Sequence, residues 1–182
     1  MSAIDEILEH NKRFVENKQY EPYLSTKDPD KKIAVLSCMD SRLVELLPAA
    51  MDSKNGDVII IKNAGALITH PFGSVMRSLL IAIYNLEVEV IMVVGHYDCA
   101  MQGFEPEKLI EKMLERDIKK ENVDMINYCG PDIREWLKGF DNVNESVSET
   151  VGLIRNHPLV PQDVQVYGFI IDPETGRLDK VC

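Results

Sequence analysis

The chain has 182 residues, of which 45% are hydrophobic and 27% are charged, as is typical of an ordinary globular protein. Its formal net charge of −10 at pH 7 argues against a nucleic acid or an anionic membrane surface as a partner. Because no stretch has the ~18 uninterrupted apolar residues of a membrane span and the chain does not start with a signal-peptide pattern, we expect a cytoplasmic protein.

The length predicts one domain, 1–182, which is large enough to bury about 70% of the surface of its unfolded chain. Apolar residues at nearly helical spacing predict an amphipathic helix over 3–17. Residues 1–30 are interpreted as an N-terminal helical arm, and residues 31–182 as the catalytic core. The arm packs either on a neighbouring subunit or on its own domain, and the sequence leaves both open.

The first part of the core alternates short apolar strands with helices. The pattern predicts strands over 32–37, 57–62 and 88–94, and helices over 43–51 and 73–86. Nearly continuous apolar strands that alternate with helices indicate a parallel sheet that is covered on both faces. The predicted fold class is therefore α/β, with a central, mainly parallel β-sheet flanked by helices.

The second part of the core is mostly helical. Apolar spacing predicts helices over 106–120, 133–140 and 144–155. A last strand is predicted over 164–171, and the polar, proline-containing run over 172–176 is typical of a turn.

Candidate functional residues follow three of the predicted strands. Cys38 comes after the first strand, Asn63, Ala64 and Gly65 after the second, and His96 after the third. Because ligands bind beyond the carboxyl ends of parallel strands, one edge of the sheet can bring all of them together. The small residues of the middle motif let backbone amides approach a ligand, or they form a plain strand-to-helix turn.

Cys38, His96 and Cys99 supply two thiols and one imidazole, which are preferred ligands of zinc. Three protein ligands without an obvious fourth leave one position of a tetrahedral zinc ion open, and an open position indicates catalysis. The alternative is that the cysteine is a small buried thiol and the histidine a hydrogen-bonded structural residue. Spacing alone does not decide between these interpretations.

Asp40 and Arg42 lie directly after Cys38. A carboxylate beside an open zinc position can bind the metal or accept a hydrogen bond from its water, and a bidentate arginine would hold that carboxylate oriented and ionised. The alternative is a surface ion pair worth ~0–1 kcal/mol. The position immediately after a candidate zinc thiolate favours the functional interpretation.

The other thiols and imidazoles lack matching partners in the sequence. Cys129, Cys182, His10 and His157 are interpreted as residues without a role in the chemistry. His70 follows the Asn-Ala-Gly turn closely enough to border a pocket, where it would serve as a proton shuttle or simply be solvated.

In combination, Cys-x-Asp-x-Arg, Asn-Ala-Gly and Gly-His-x-x-Cys, each after a strand, resemble the β-class carbonic anhydrases. The resemblance covers residues 30–181 and is strongest to the short bacterial members. It implies a homodimer that can pair into tetramers, with N-terminal helices that embrace the partner. It also implies one Zn²⁺ per chain, bound by Cys38, His96 and Cys99.

The resemblance assigns Asp40 and Arg42 to catalysis. Asp40 would accept a hydrogen bond from the zinc-bound water, and Arg42 would hold it away from the metal, although in some members the aspartate binds zinc in an inactive state. The implied reaction is the reversible hydration of carbon dioxide to bicarbonate and a proton by zinc-bound hydroxide.

The substrate is the point at which the sequence departs from the family pattern. Asn63, Ala64, Gly65 and Ala100 are interpreted as the substrate pocket, and Ala100 stands where glycine is usual. A methyl group there would trim the pocket. Because β-carbonic-anhydrase-like proteins include hydrolases of carbonyl sulfide and carbon disulfide, such a hydrolase is the second hypothesis. A non-catalytic zinc-binding or regulatory protein is the third.

Overall fold

Five short strands form one β-sheet at the centre of the fold. The structure, a computed structural model, describes residues 2–130 and 132–182, so Met1 and Pro131 of the predicted domain lie outside the described residues. In chain order the strands are β1 (Ile33–Cys38), β2 (Val58–Asn63), β3 (Val90–His96), β4 (Gln165–Ile171) and β5 (Leu178–Lys180).

The strands lie in the order β2-β1-β3-β4-β5. The first four are parallel to one another, and β5 pairs antiparallel with β4. The prediction of a mainly parallel sheet is confirmed. The prediction that residues 164–171 hold the last strand is wrong, because the chain turns back after residue 176 to add β5 at the edge.

α-Helices precede the first strand and connect several of the strands along the chain. In chain order they are α1 (Ala3–Glu16), α2 (Leu43–Ala50), α3 (Ser74–Asn85), α4 (Pro106–Glu115), α5 (Lys120–Tyr128), α6 (Ile133–Leu137) and α7 (Val143–Arg155). None of the described helices is long and apolar enough to cross a membrane. The helix predicted over 106–120 is too long, because the chain leaves α4 at Arg116 and Asp117 adopts a left-handed φ of 65°. The sequence does not predict α5.

Both faces of the sheet carry packed helices. On one face, buried residues of α3 and α7 such as Leu79 and Val151 form one cluster with β-strand residues such as Leu36. On the other face, Leu43 and Leu47 of α2 pack with strand residues. Complete burial of each such side chain stabilises the fold by about 1.5–3 kcal/mol. The three helices α4, α5 and α6 share a small cluster of their own.

Two glycines let α7 lie close against the sheet. A Cβ atom added at Gly95 of β3 would lie 2.7 Å from a methyl group of Val147, and one at Gly168 of β4 would lie 2.6 Å from the same side chain. Real Cβ atoms do not approach other atoms so closely. Gly95 immediately precedes His96, so this packing fixes the end of β3 that carries the histidine.

Candidate metal centre

The ends of three adjacent parallel strands meet at one edge of the sheet. Cys38 is the last residue of β1, Asn63 is the last residue of β2, and His96 is the last residue of β3. Cys38 and Asn63 lie opposite each other in the register of β1 and β2. Cys99 belongs to the turn three residues after His96. The parallel topology thus brings together the residues that the motifs single out.

Cys38, His96 and Cys99 form a buried group whose ligand atoms all lie within 4.8 Å of one another. The two Sγ atoms are 3.8 Å apart. Nδ1 of His96 lies 2.8 Å from the backbone carbonyl oxygen of Tyr97, and because a carbonyl only accepts, Nδ1 carries the proton. Nε2 therefore offers a lone pair, and it has no hydrogen-bond partner among the described residues. A buried imidazole nitrogen of this kind is suited to a metal ion.

The electrostatics of the group attract positive charge. A hydrogen bond from the Cys99 thiol, the imidazole of His96, and the backbone N–H groups of Asp40 and Gly65 lower the pKa of Cys38. Contact with this thiolate, together with burial, raises the pKa of Cys99. Burial lowers the pKa of His96, but the same thiolate outweighs that effect and the net shift is upward. Protons and metal ions compete for such sites, so the group can hold a cation in place of its protons.

Asp40 and Arg42 form a closely bonded pair beside this group. The guanidinium of Arg42 donates from Nε to Oδ1 at 3.1 Å and from Nη2 to Oδ2 at 2.9 Å, and the backbone N–H of Arg42 donates to Oδ1 at 2.8 Å. These bonds from Arg42 lower the pKa of Asp40 to about 2, so the carboxylate is ionised at neutral pH. The pair predicted from sequence is therefore present, with three hydrogen bonds that join Arg42 to a largely buried Asp40 carboxylate.

Asp98 is a residue of this site that the sequence interpretation missed. Its carboxylate accepts a hydrogen bond from Nη1 of Arg42 at 2.9 Å, and its backbone carbonyl accepts one from Nη2 at 2.9 Å. Asp98 has a left-handed φ of 54° in the turn between His96 and Cys99. The acidic residue inside the Gly-His-x-x-Cys motif is the sequence feature that could have indicated it.

The residues predicted to line a substrate pocket do not all lie at one cavity. Asn63 donates from Nδ2 to the carbonyl oxygen of Leu67 at 2.6 Å and so closes the turn after β2. Gly65, at a left-handed φ of 79°, directs its N–H toward Cys38, while Ala64 precedes it in the same 3-10 turn. Ala100 is exposed and borders a cavity of about 250 Å³ whose lining includes none of the three candidate ligands.

The remaining histidines and cysteines stay outside the group. His157 is buried, with Nε2 donating to the carbonyl of Pro71 at 2.9 Å and Nδ1 accepting from the N–H of Leu159 at 3.2 Å, which is a structural role. His70 is exposed, and its Nδ1 accepts a hydrogen bond from a nearby backbone N–H. Cys129 is exposed and is not part of the group.

Known proteins resemble the chain over nearly its whole length. The family model described as carbonic anhydrase matches residues 33–178. A Bacillus subtilis protein with the name "Putative carbonic anhydrase YtiB" is 52% identical over 181 residues, which is 100% of this chain and 97% of the relative. The crystal structure of β-carbonic anhydrase isoform I from Trichomonas vaginalis matches with a TM-score of 0.91 and 31% identity, over 100% of this chain and 98% of that one.

A relative with another activity in its name also matches. The carbon disulfide hydrolase of Acidithiobacillus thiooxidans is 28% identical over 159 residues, which is 82% of this chain and 76% of the relative. Proteins similar to this chain are thus named for two different enzyme activities.

Proposed function

The chain belongs to the β-carbonic anhydrase family, and we propose that it is a zinc-dependent carbonic anhydrase that hydrates carbon dioxide reversibly to bicarbonate and a proton. The observation that carries the proposal is the buried group of Cys38, His96 and Cys99 beside an ionised Asp40. A closed structural zinc site would need a fourth ligand and no oriented carboxylate.

The donor atoms fit one zinc ion per chain. Two thiolates on a tetrahedral zinc ion with bonds of about 2.3 Å lie about 3.8 Å apart. The two sulfurs of Cys38 and Cys99 are separated by 3.8 Å, and Nε2 of His96 has its lone pair free. Thiol ligands stay reduced in the cytoplasm, which is the location that we propose.

The surrounding residues would orient the reactants. A bound zinc ion would supply a nucleophile at neutral pH by lowering the pKa of a water ligand. Asp40, ionised and held by Arg42, offers a remaining lone pair on Oδ2 as a hydrogen-bond acceptor, and this atom lies 3.9 Å from Nε2 of His96. By accepting one hydrogen, the carboxylate would orient the nucleophile.

The apolar surroundings suit carbon dioxide as the substrate. Cys38 and Cys99 belong to a cluster of buried residues that includes Leu43 and Val94, and Met101 packs against that cluster. An uncharged, linear substrate needs no charged subsite, and an apolar wall excludes competing water.

The first test of the proposal is metal content combined with a carbon dioxide hydration assay. We expect one zinc per chain in the purified protein, and hydration in stopped flow well above the uncatalysed rate. His96→Ala should lose both zinc and activity, whereas Cys129→Ser, which changes an exposed thiol outside the group, should keep both. A protein that contains no zinc and takes up none when zinc is added would overturn the proposal.

Hydrolysis of carbon disulfide or carbonyl sulfide is the second candidate function. The similarity to a named carbon disulfide hydrolase favours it. Ala100 follows Cys99 at the position where the family resemblance leads us to expect glycine. Parallel assays on carbon dioxide, carbonyl sulfide and carbon disulfide separate the two, and Ala100→Gly tests the methyl group. A preference for the sulfur substrates would replace the first proposal, and zinc without any of these activities would support a non-catalytic role.

We further propose that the chain forms a homodimer, with α1 packed on the partner subunit. None of the α1 residues, all of which the structure describes, is buried. Ile4, Ile7 and Leu8 are each more than 60% exposed on one face of this helix. A row of large apolar side chains in contact with water favours association, since burial against a second copy would remove that area from solvent. Further pairing into tetramers is compatible with this arrangement.

A further inference from the structure

Arg42 is held from two sides by acidic residues of different segments. Its guanidinium donates to Asp40, which follows β1, and to the carboxylate and backbone carbonyl of Asp98, which follows β3. We infer that Asp98 is a positioning residue that holds Arg42. Through Arg42, it keeps the Asp40 carboxylate beside the metal site, in an orientation in which Asp40 does not bind the metal. This inference rests on the proposed function, because it concerns the same metal centre.

The geometry explains why one acidic partner is insufficient. With Asp40 alone, the guanidinium would be held only by a side chain of its own short segment after β1, and Oδ2 of that side chain would have no bond to a group outside the segment. Asp98 supplies two further acceptors at 2.9 Å, for Nη1 and Nη2, from the turn that also carries Cys99. The guanidinium is therefore fixed between the ends of two strands, each of which ends in a candidate zinc ligand.

The exposure of the Asp98 side chain indicates that its contact with Arg42 contributes little to the stability of the fold. The Asp98 side chain is 85% exposed, whereas that of Asp40 is 17% exposed. Exposed ion pairs contribute little to the free energy of unfolding, so the contact with Asp98 has little effect on folding. Its effect falls on the orientation of a carboxylate that is itself a potential zinc ligand.

Release of the Arg42 guanidinium would leave Asp40 with one bond to this residue, from the backbone N–H to Oδ1, and would leave Oδ2 without the bond from Nη2. Oδ2 of Asp40 is only 3.9 Å from Nε2 of His96, so this carboxylate could serve as a fourth ligand of a metal ion held by the three candidate residues. A carboxylate in that position would block the nucleophile. Loss of the Asp98 side chain removes the acceptor for Nη1 and keeps only the backbone carbonyl that accepts from Nη2. The guanidinium should then be held less firmly, and the metal should shift toward a site closed by Asp40.

The test compares Asp98→Gly with Asp98→Asn. Glycine removes the carboxylate and tolerates the left-handed φ of 54° at this position. Asparagine also tolerates this conformation and keeps a side-chain oxygen that can accept from Nη1. Asp117→Gly is the matched control, because Asp117 is also an exposed aspartate with a left-handed φ, of 65°, and lies outside the site.

The readout that does not depend on substrate is the visible spectrum of the cobalt(II)-loaded protein, which reports the ligand set and geometry of the metal. We expect Asp98→Gly to change this spectrum and Asp98→Asn and Asp117→Gly to leave it nearly unchanged. The change should disappear when Asp40→Asn is added to Asp98→Gly. A spectrum for Asp98→Gly identical to that of the wild type would overturn the role of Asp98.

Kinetics give the second readout. The value of kcat/KM for hydration should fall about tenfold in Asp98→Gly and remain within about threefold of the wild type in Asp98→Asn. In an Arg42→Ala background, Asp98→Gly should have no further effect, because the connection to Asp40 is already lost. Additive losses would overturn the inference. A wild-type protein without hydration activity would instead overturn the proposed function, while the cobalt spectra would still decide the role of Asp98.

Discussion

Oδ2 of Asp40 lies 3.9 Å from Nε2 of His96, and both oxygens of this carboxylate are hydrogen bonded to Arg42. Among the described residues, the group with ligand atoms within 4.8 Å of one another contains Cys38, His96 and Cys99 but not Asp40. The aspartate is thus a neighbour of the candidate metal ligands and is held in place by other contacts. The proposed metal binding and the proposed orientation of the nucleophile therefore rest on different residues, so the two can be tested by different substitutions.

Asp40→Asn should leave metal binding intact and remove most of the activity. Asparagine has nearly the same shape, but it lacks the charge and presents only one acceptor oxygen, so it would orient the nucleophile poorly. We expect zinc content equal to that of the wild type and a loss in kcat of at least about 100-fold. Metal analysis and stopped-flow hydration check both values. Full activity in this variant would exclude the proposed role of the carboxylate.

Zinc should stabilise the folded chain through the three candidate ligands. A ligand that binds the native state at 1,000 times its Kd adds about 4 kcal/mol, which for a chain of this size raises Tm by roughly 10 °C. Thermal melts of chelator-treated protein with and without added zinc measure this shift. The shift should be small in His96→Ala and unchanged in Cys129→Ser. An equal shift in His96→Ala would place the metal elsewhere.

Gly95→Ala should destabilise the fold through α7. The new methyl group would lie 2.7 Å from Val147 and 2.9 Å from Val143, so the helix would have to move away from β3. Overpacking of this kind costs about 1–3 kcal/mol, measured as a lower free energy of unfolding in urea. We also expect weaker zinc binding, because His96 is the next residue.

Gly152→Ala is the matched control for this substitution. Gly152 lies within α7, and apart from its chain neighbours and the adjacent backbone of the helix itself, no described atom comes within 4 Å of an added Cβ. Alanine is the better helix former by about 1 kcal/mol, so this variant should be more stable than the wild type. Equal destabilisation by the two substitutions would contradict the packing argument.

The predictable parts of the fold are those with a strong local pattern. The strands that end in Cys38 and His96 are nearly continuous apolar runs, and the helices on the sheet show clear apolar spacing. These elements, and the edge that carries the candidate ligands, therefore follow from sequence. The short strand β5 has one apolar residue, Leu178, and it forms because β4 offers a free edge. Only the tertiary fold supplies that partner.

Other features of the site depend on contacts between distant segments. The hydrogen bonds between Arg42 and Asp98 join residues 56 positions apart, and although Asp98 lies inside a motif, the sequence does not show that Arg42 is its partner. In the same way, the sequence does not explain why residue 95 is glycine. The reason is that Val147 packs against this position and leaves no room for a Cβ atom. The motifs single out the candidate ligands, and the packing explains the glycine beside one of them.

The apolar face of α1 gives the last prediction. Leu8 is 63% exposed on that face, and a charge there would oppose its burial against a second subunit. Leu8→Arg should therefore shift the protein from dimer to monomer in size-exclusion chromatography with light scattering. Glu6→Arg is the matched control, because it introduces the same side chain on the polar face of the same helix, and it should leave the dimer intact. A monomeric wild type, or a dimer that Leu8→Arg leaves unchanged, would show that α1 does not hold two subunits together.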